Sequence, residues 1–290
     1  MYNTFPYILS KPLRRAVALT ALLLSAMATP MEMKAKSDYE AYIDSADNYA
    51  SREHYVDAAR CYREALRANP GSPLNSKIFA NLGICLTETG QLTEAIDALD
   101  VALVREPSSP HILTSRARAL LLSDRRQDAL TDLDAALAAD SIHLPALRLR
   151  SQLHMLTADY PKAETDFTTI HTHYPAEDLG AIGLAQCHMM RGDFDAAITL
   201  YREAITLADE ADTHVALASA LLNARRNSEA GEMLREAIRL HPRCGELYLM
   251  RGVLHQRMYR TEEAMTDKKT ALSLGVDPAK ADAVLPGKVK

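Results

Sequence analysis

Phe79 to Pro107 reads FANLGICLTETGQLTEAIDALDVALVREP. Gly90 stands near its middle, where a tight turn benefits from a residue without a Cβ. Gly83 lies ahead of that turn, and Ala95 and Ala102 lie behind it. Two antiparallel helices approach closely only where facing side chains are small. Leu99 is large enough to fill the space beside such a contact. Pro107 stands where the second helix must stop. The stretch predicts one helical hairpin.

The hairpin recurs. Counting from Ala95, alanine returns at Ala58, Ala129, Ala163, Ala197, Ala230 and Ala264, with steps of 37, 34, 34, 34, 33 and 34 residues. A fixed period of this length marks a stack of supersecondary units. The long first step fits an extra Pro73-Leu74-Asn75 in a loop. With this alanine as position 20, the copies run over 39–72, 76–109, 110–143, 144–177, 178–210, 211–244 and 245–278. Position 8 is small throughout: Ala46, Gly83, Ala117, Ser151, Ala185, Ala218 and Gly252. Position 27 is Ala in all copies but the fourth, which has Ile170. Position 24 is large and apolar in six copies and Lys268 in the last, which suggests a wet outer face there. Position 32 is Pro70, Pro107, Pro175 and Pro242 in four copies, but Ser141, Asp209 and Val276 in the others.

This pattern resembles the tetratricopeptide repeat family over residues 39 to about 278. The resemblance implies an all-α, right-handed α-solenoid of seven helix-turn-helix repeats. Asp277-Pro278 reads as an N-cap followed by proline in the first turn. It predicts a short capping helix to about Leu285 within a tail of 279–290, as stacked repeats need a polar end.

Positions 7 and 23 vary together. Position 7 is arginine at Arg116, Arg150 and Arg251, and the same three copies carry Asp132, Asp166 and Asp267 at position 23. The other four copies have no charge at either position. A cation half-buried between helices must be paired. The expectation is therefore an Arg–Asp bridge within each of these copies, with unpaired arginine as the costly species. The alternative is that these arginines bind an anionic ligand.

The first 38 residues stand outside the repeats. Lys11, Arg14 and Arg15 precede an apolar run from Ala16 to Ala28 that ends Ala26-Met27-Ala28. That order is the one found in secretory signal peptides, and the run is too short to span a bilayer, which takes about 20 residues. The expectation is a cleaved signal over 1–28, then a linker over 29–38, in an exported, periplasmic protein with no membrane span after cleavage. An uncleaved anchor or an ordinary first helix is the other reading. Cleavage leaves 30 of the 33 basic residues against 38 acidic ones. So acidic a chain is a poor nucleic-acid partner, which needs clustered positive charge. Cys61, Cys85, Cys187 and Cys244 fit no zinc spacing and read as four free thiols in helix packing.

No catalytic set emerges. The chain has no Gly-rich phosphate loop, Gly-x-Ser-x-Gly elbow or metalloprotease His pair. His154, His188 and His255 share position 11, an aromatic slot in the family, and read as core fillers. No enzyme activity, cofactor or metal is expected. In the family, ligands lie in a concave groove lined by the first helix of each copy. Carried over, those positions place His111, Thr114, Arg118, Arg148, Gln152 and Met155 in copies three and four, then Ile182, Gln186, Met189 and Met190 in copy five. Two arginines beside a flexible Met-lined strip suit an acidic and apolar peptide. Equally, the methionines could pack on their neighbours. The expected function is an exported scaffold for a protein or peptide partner, or an accessory subunit of an envelope enzyme complex acting on polysaccharide or peptidoglycan. N-terminal sequencing of the native protein should return Thr29 as its first residue; an intact Met1 would refute cleavage.

Overall fold

The computed structural model describes residues 30–286, with side chains from residue 38 onward. The expected signal peptide, 1–28, lies outside the described residues. These form fifteen α-helices and no strand, an all-α stack of helical hairpins. No helix among them is long and apolar enough to cross a membrane. The chain divides into two compact units, Met1–Asp132 and Leu133–Lys290.

In the first unit, α1 (Pro30–Ala50) packs on α2 (Tyr55–Ala68), α2 on α3 (Asn75–Glu88), α3 on α4 (Leu92–Arg105), and α4 on α5 (Pro110–Leu122). α6 (Arg126–Ala139) crosses the boundary between the units. The second unit continues with α7 (Leu144–Leu156), α8 (Tyr160–His173), α9 (Asp178–Arg191), α10 (Phe194–Leu207), α11 (Ala211–Asn223), α12 (Asn227–Leu240), α13 (Gly245–Arg257) and α14 (Thr261–Ser273), closed by α15 (Pro278–Val284). From α7 to α15 each of these helices packs on the next. The segment expected as a linker is helical from Pro30 and continuous with the first hairpin.

Every residue at positions 8, 20 and 27 is buried. Position 24 fills the adjacent space with Tyr62, Leu99, Leu133, Phe167, Tyr201 and Leu234, all fully buried or nearly so. Lys268 corrects the expectation of a wet end. It is 7% exposed. Its ammonium donates to Asp282 at 2.6 Å and to the Leu285 carbonyl at 2.7 Å. The capping helix lies over it, begun by the Asp277 carboxylate accepting from Lys280 N–H at 2.9 Å. Leu285 sits so close to Gly252 that a Cβ there would meet its Cδ2 at 2.7 Å.

The inserted loop is also knitted. Tyr39 Oη donates to Asn75 Oδ1 at 3.0 Å and lies 2.9 Å from Ser72 Oγ. Asn75 in turn donates to the carbonyls of Asn69 and Pro70, both at 2.9 Å.

The turn between paired helices is the same in every copy. Position 15 has positive φ at Glu53, Gly90, Asp124, Ala158, Gly192, Arg225 and Tyr259. Five of these seven residues carry a Cβ, which the left-handed region disfavours by about 1–2 kcal/mol. The glycines mark a turn type that all seven hairpins share. Gly192→Ala should therefore cost about 1 kcal/mol in urea unfolding. Ala158→Gly should gain about 0.5 kcal/mol, the relief being partly offset by glycine's greater freedom when unfolded. A loss of stability in Ala158→Gly would contradict this account of the turn.

Candidate functional site

The structure joins all three arginine–aspartate couples. Arg116 donates from Nε and Nη2 to Asp132 at 2.8 and 2.6 Å. Arg150 does the same to Asp166 at 3.0 and 2.7 Å, and Arg251 to Asp267 at 2.9 and 2.6 Å. These are two-point forks, the strongest geometry available to this pair of groups.

The aspartates are the deeper partners. Their side chains are 6%, 2% and 6% exposed, against 26%, 22% and 32% for the arginines. The expectation that unpaired arginine is the costly species is therefore corrected: the unpaired aspartate is.

A second carboxylate comes from the preceding copy. Arg116 Nη1 donates to Asp100 at 2.5 Å and Arg150 Nη1 to Asp134 at 2.7 Å. Both aspartates hold position 25. Hydrogen bonds donated to Asp132 and Asp166, opposed by burial, raise the pKa of Arg116 and Arg150. With Nε, Nη1 and Nη2 all committed, these two arginines have little left for a ligand. Before the seventh copy, position 25 is Arg235, and the Arg251 guanidinium lies 5.3 Å from the centre of the Tyr248 ring instead. Elsewhere a position-25 arginine reaches the glutamate at position 19 of the next copy, as in Arg63–Glu94 and Arg202–Glu229, both at 2.6 Å. These links join different copies, so a search within one copy misses them.

The groove candidates divide by environment. In the first unit, His111 and Arg118 are exposed. Thr114 is buried, with its hydroxyl donating to the Pro110 carbonyl at 2.6 Å. It is therefore withdrawn as a groove contact, because the first turn of α5 takes up its polar group. Arg118 pairs with Glu88 of α3.

In the second unit, Arg148 lies 3.4 Å from Glu177. Gln152 and Gln186 are exposed, while Met155 and Ile182 are half-buried. Met155 Sδ is 3.7 Å from Cys187 Sγ, which ties α7 to α9. Met189 packs against the core of the second unit, whereas Met190 stands 57% exposed. Leu156, missed in the sequence, is 68% exposed at the same repeat position as Met190. Position 13 of the repeat was the available signal, and in the first unit it brings out Leu122 at 58% exposure. His154 is buried, and burial lowers its pKa. His188 and His255 keep partial exposure. The four cysteines are free thiols, and burial pushes that of Cys85 up to about 11.

A sequence model of the tetratricopeptide repeat matches residues 43–110, 154–212 and 215–266. The chain is 31% identical over 97 residues to DnaJ homolog subfamily C member 3 of Gallus gallus. That match covers 33% of this chain and only 19% of the chicken protein. Among solved structures, a tetratricopeptide repeat protein of Parabacteroides merdae superposes with a TM-score of 0.64 at 25% identity, over 86% of this chain and 98% of that one. PilF of Pseudomonas aeruginosa gives a TM-score of 0.60 at 16% identity, over 72% and 96% of the two chains, a likeness of fold alone.

Removing Arg150 tests the arginine–aspartate couples. Arg150→Met strands a carboxylate that is 2% exposed and should cost about 3 kcal/mol in urea unfolding, the lower end for a broken buried pair because the arginine is itself part-exposed. The double variant Arg150→Met/Asp166→Leu should recover to within about 1 kcal/mol of the parent. A double variant as unstable as the single would show that the couple contributes mainly by packing.

Proposed function

Because the chain belongs to the tetratricopeptide repeat family, whose members act generally as non-catalytic scaffolds for protein interaction, we propose that it is an exported scaffold holding an extended protein or peptide segment against the first helices of its repeats. The observation that carries this reading is the apolar strip of the second unit. Leu156 and Met190 project from α7 and α9 with 68% and 57% exposure. Their chain neighbours Met155 and Met189, and Ile182 earlier on α9, are half-buried. Exposed apolar side chains grouped on one face, rimmed by polar ones, mark interaction surfaces. Here the rim is Arg148, Gln152 and Gln186. Methionine adapts its shape to different partners.

The ion pairs change the balance of the expected ligand. Arg118 and Arg148 are each held by a glutamate, so an acidic group on the partner must displace Glu88 or Glu177 to reach them. Exposed pairs of this kind contribute roughly 0–1 kcal/mol. The partner is accordingly read as an apolar segment first, with acidic groups secondary. Export rests on the Lys11–Ala28 order of charged, apolar and small residues.

The test uses the full chain as bait in envelope extract. Leu156→Ser/Met190→Ser should reduce recovery of the captured partner about tenfold or more, since two lost apolar contacts exceed the 1.4 kcal/mol that a decade requires. Val104→Ser, at an 83% exposed site on the second helix α4, should leave recovery unchanged. Capture that survives the first variant and fails with the second would place binding on the opposite helices and reject this site.

A further inference from the structure

Two departures from the repeat pattern meet in the second unit. Position 4 reads Tyr42, Phe79, Leu113, Leu147, Ala181 and Tyr248 in six copies, but His214 in the sixth. Position 32, proline in four copies, is Asp209 at the end of the fifth. Asp209 lies in the short connection from α10 to α11, and His214 lies on the first turn of α11. A third side chain joins them: His241, the C-cap residue of α12.

Asp209 Oδ1 lies 2.6 Å from His214 Nε2 and 3.3 Å from His241 Nε2. All three atoms fall within 4.8 Å of one another. The two rings are 5.4 Å apart, centre to centre, and tilted by 50°. His214 is 7% exposed, and its Nδ1 is buried without a partner. No hydrogen bond on that side therefore dictates which ring nitrogen carries the proton.

We propose that Asp209, His214 and His241 form a binding site for Zn2+ or a similar borderline divalent cation, with water completing the coordination. Two imidazole nitrogens and one carboxylate oxygen are a donor set that suits zinc and its neighbours rather than calcium or magnesium, which take oxygen ligands. Metal–ligand distances near 2.0–2.2 Å place donors about 3.3 Å apart around a tetrahedral centre. The Asp209–His241 separation already has that value. Opening the Asp209–His214 contact and closing the two histidines requires side-chain shifts on the order of 1 Å. Asp209 is 48% exposed and His241 24% exposed at their side chains, which leaves a path for the ion and room for water.

Hydrogen bonds from His214 and then His241 hold the Asp209 carboxyl below the usual carboxylate range, so it is ionised at neutral pH. The lack of an acceptor for His214 Nδ1–H limits affinity, because ligating histidines gain from such a partner. The ligands come from the connection before the sixth copy and from the end of its second helix. A bound ion would therefore fasten that copy at both of its junctions.

The test is isothermal titration of the full chain, free of any affinity tag and stripped of metal, with Zn2+, and visible absorption with Co2+. The expected result is one saturable Zn2+ site with a micromolar Kd and a Co2+ spectrum of the four-coordinate type. His241→Gln should weaken Zn2+ at least about tenfold. His214→Leu should do the same, and it installs the residue found at Leu113 and Leu147, so packing is kept. His173→Gln, at an exposed site on α8, should change nothing. Zn2+ should raise Tm in the parent and not in His241→Gln. Absence of a saturable site, or binding unchanged in both His214→Leu and His241→Gln, overturns the proposal.

Discussion

The contact on which the rest depends is the meeting of two helices at side chains no larger than alanine, serine or, once, isoleucine. At positions 8, 20 and 27 the buried residues leave no solvent between the backbones. Close approach fixes where everything else can go. Position 24 must be large, because the helices diverge on either side of the seam and the gap has to be filled to interior density. Position 15 must turn left-handed, because the second helix has to begin within a few residues of the end of the first. Five hairpins accept an unfavourable φ there without glycine, so packing along the seam outweighs a local cost of about 1–2 kcal/mol each.

The seam is closed at its edge by charge. Where position 7 is arginine, a buried aspartate at position 23 faces it, and for Arg116 and Arg150 the preceding copy adds another aspartate. A buried ion pair is weak evidence for stability in itself, since desolvation offsets most of the attraction. Its effect here is on register: the fork of Arg116 binds its own hairpin and the previous one at once. The final copy has no following hairpin to cover it. There a buried lysine, Lys268, is satisfied by Asp282 and the Leu285 carbonyl of the capping helix. A solenoid end is thus protected by a specific polar contact as well as by α15 covering it.

The hairpin architecture was legible from the sequence because its constraint repeats: one small residue every 34 positions is visible without any structure. The pairing of positions 7 and 23 was legible for the same reason, as two letters changing together within one copy. Contacts between copies were not. Asp100, Asp134, Glu94 and Glu229 act on arginines 16 to 31 residues away, and they sit at positions that carry no charge rule of their own. Depth was hidden too. Thr114 and Lys268 look like surface residues by type, yet each is 7% exposed, Thr114 because its hydroxyl bonds back to its own helix and Lys268 because a later segment folds over it. The first hairpin's early start at Pro30 was missed because the repeat count begins at Tyr39 and the seam residues say nothing about how far a helix runs beyond them.

The same logic says where individuality must lie. Residues of the seam are held by a requirement common to all copies, so they cannot distinguish one hairpin from another. Position 13 is free of that requirement, and there the chain presents Leu122, Leu156 and Met190 to solvent. Hydrophobic residues at such sites are not explained by packing within the hairpin. Position 32 is constrained only to end a helix, a task that proline performs and that several other residues also allow. When it becomes Asp209, the stop is retained and a carboxylate is gained beside two histidines. Position 4 is buried at Leu113, Leu147 and Ala181, and an imidazole there forfeits apolar contact that leucine supplies in the third and fourth copies. A polar group placed in a core slot needs a partner, and Asp209 meets that need for His214 Nε2. The departures at positions 4 and 32 therefore account for each other chemically across the short connection between two copies, five residues apart, and the stacking adds His241 to the same carboxylate from 32 residues further on.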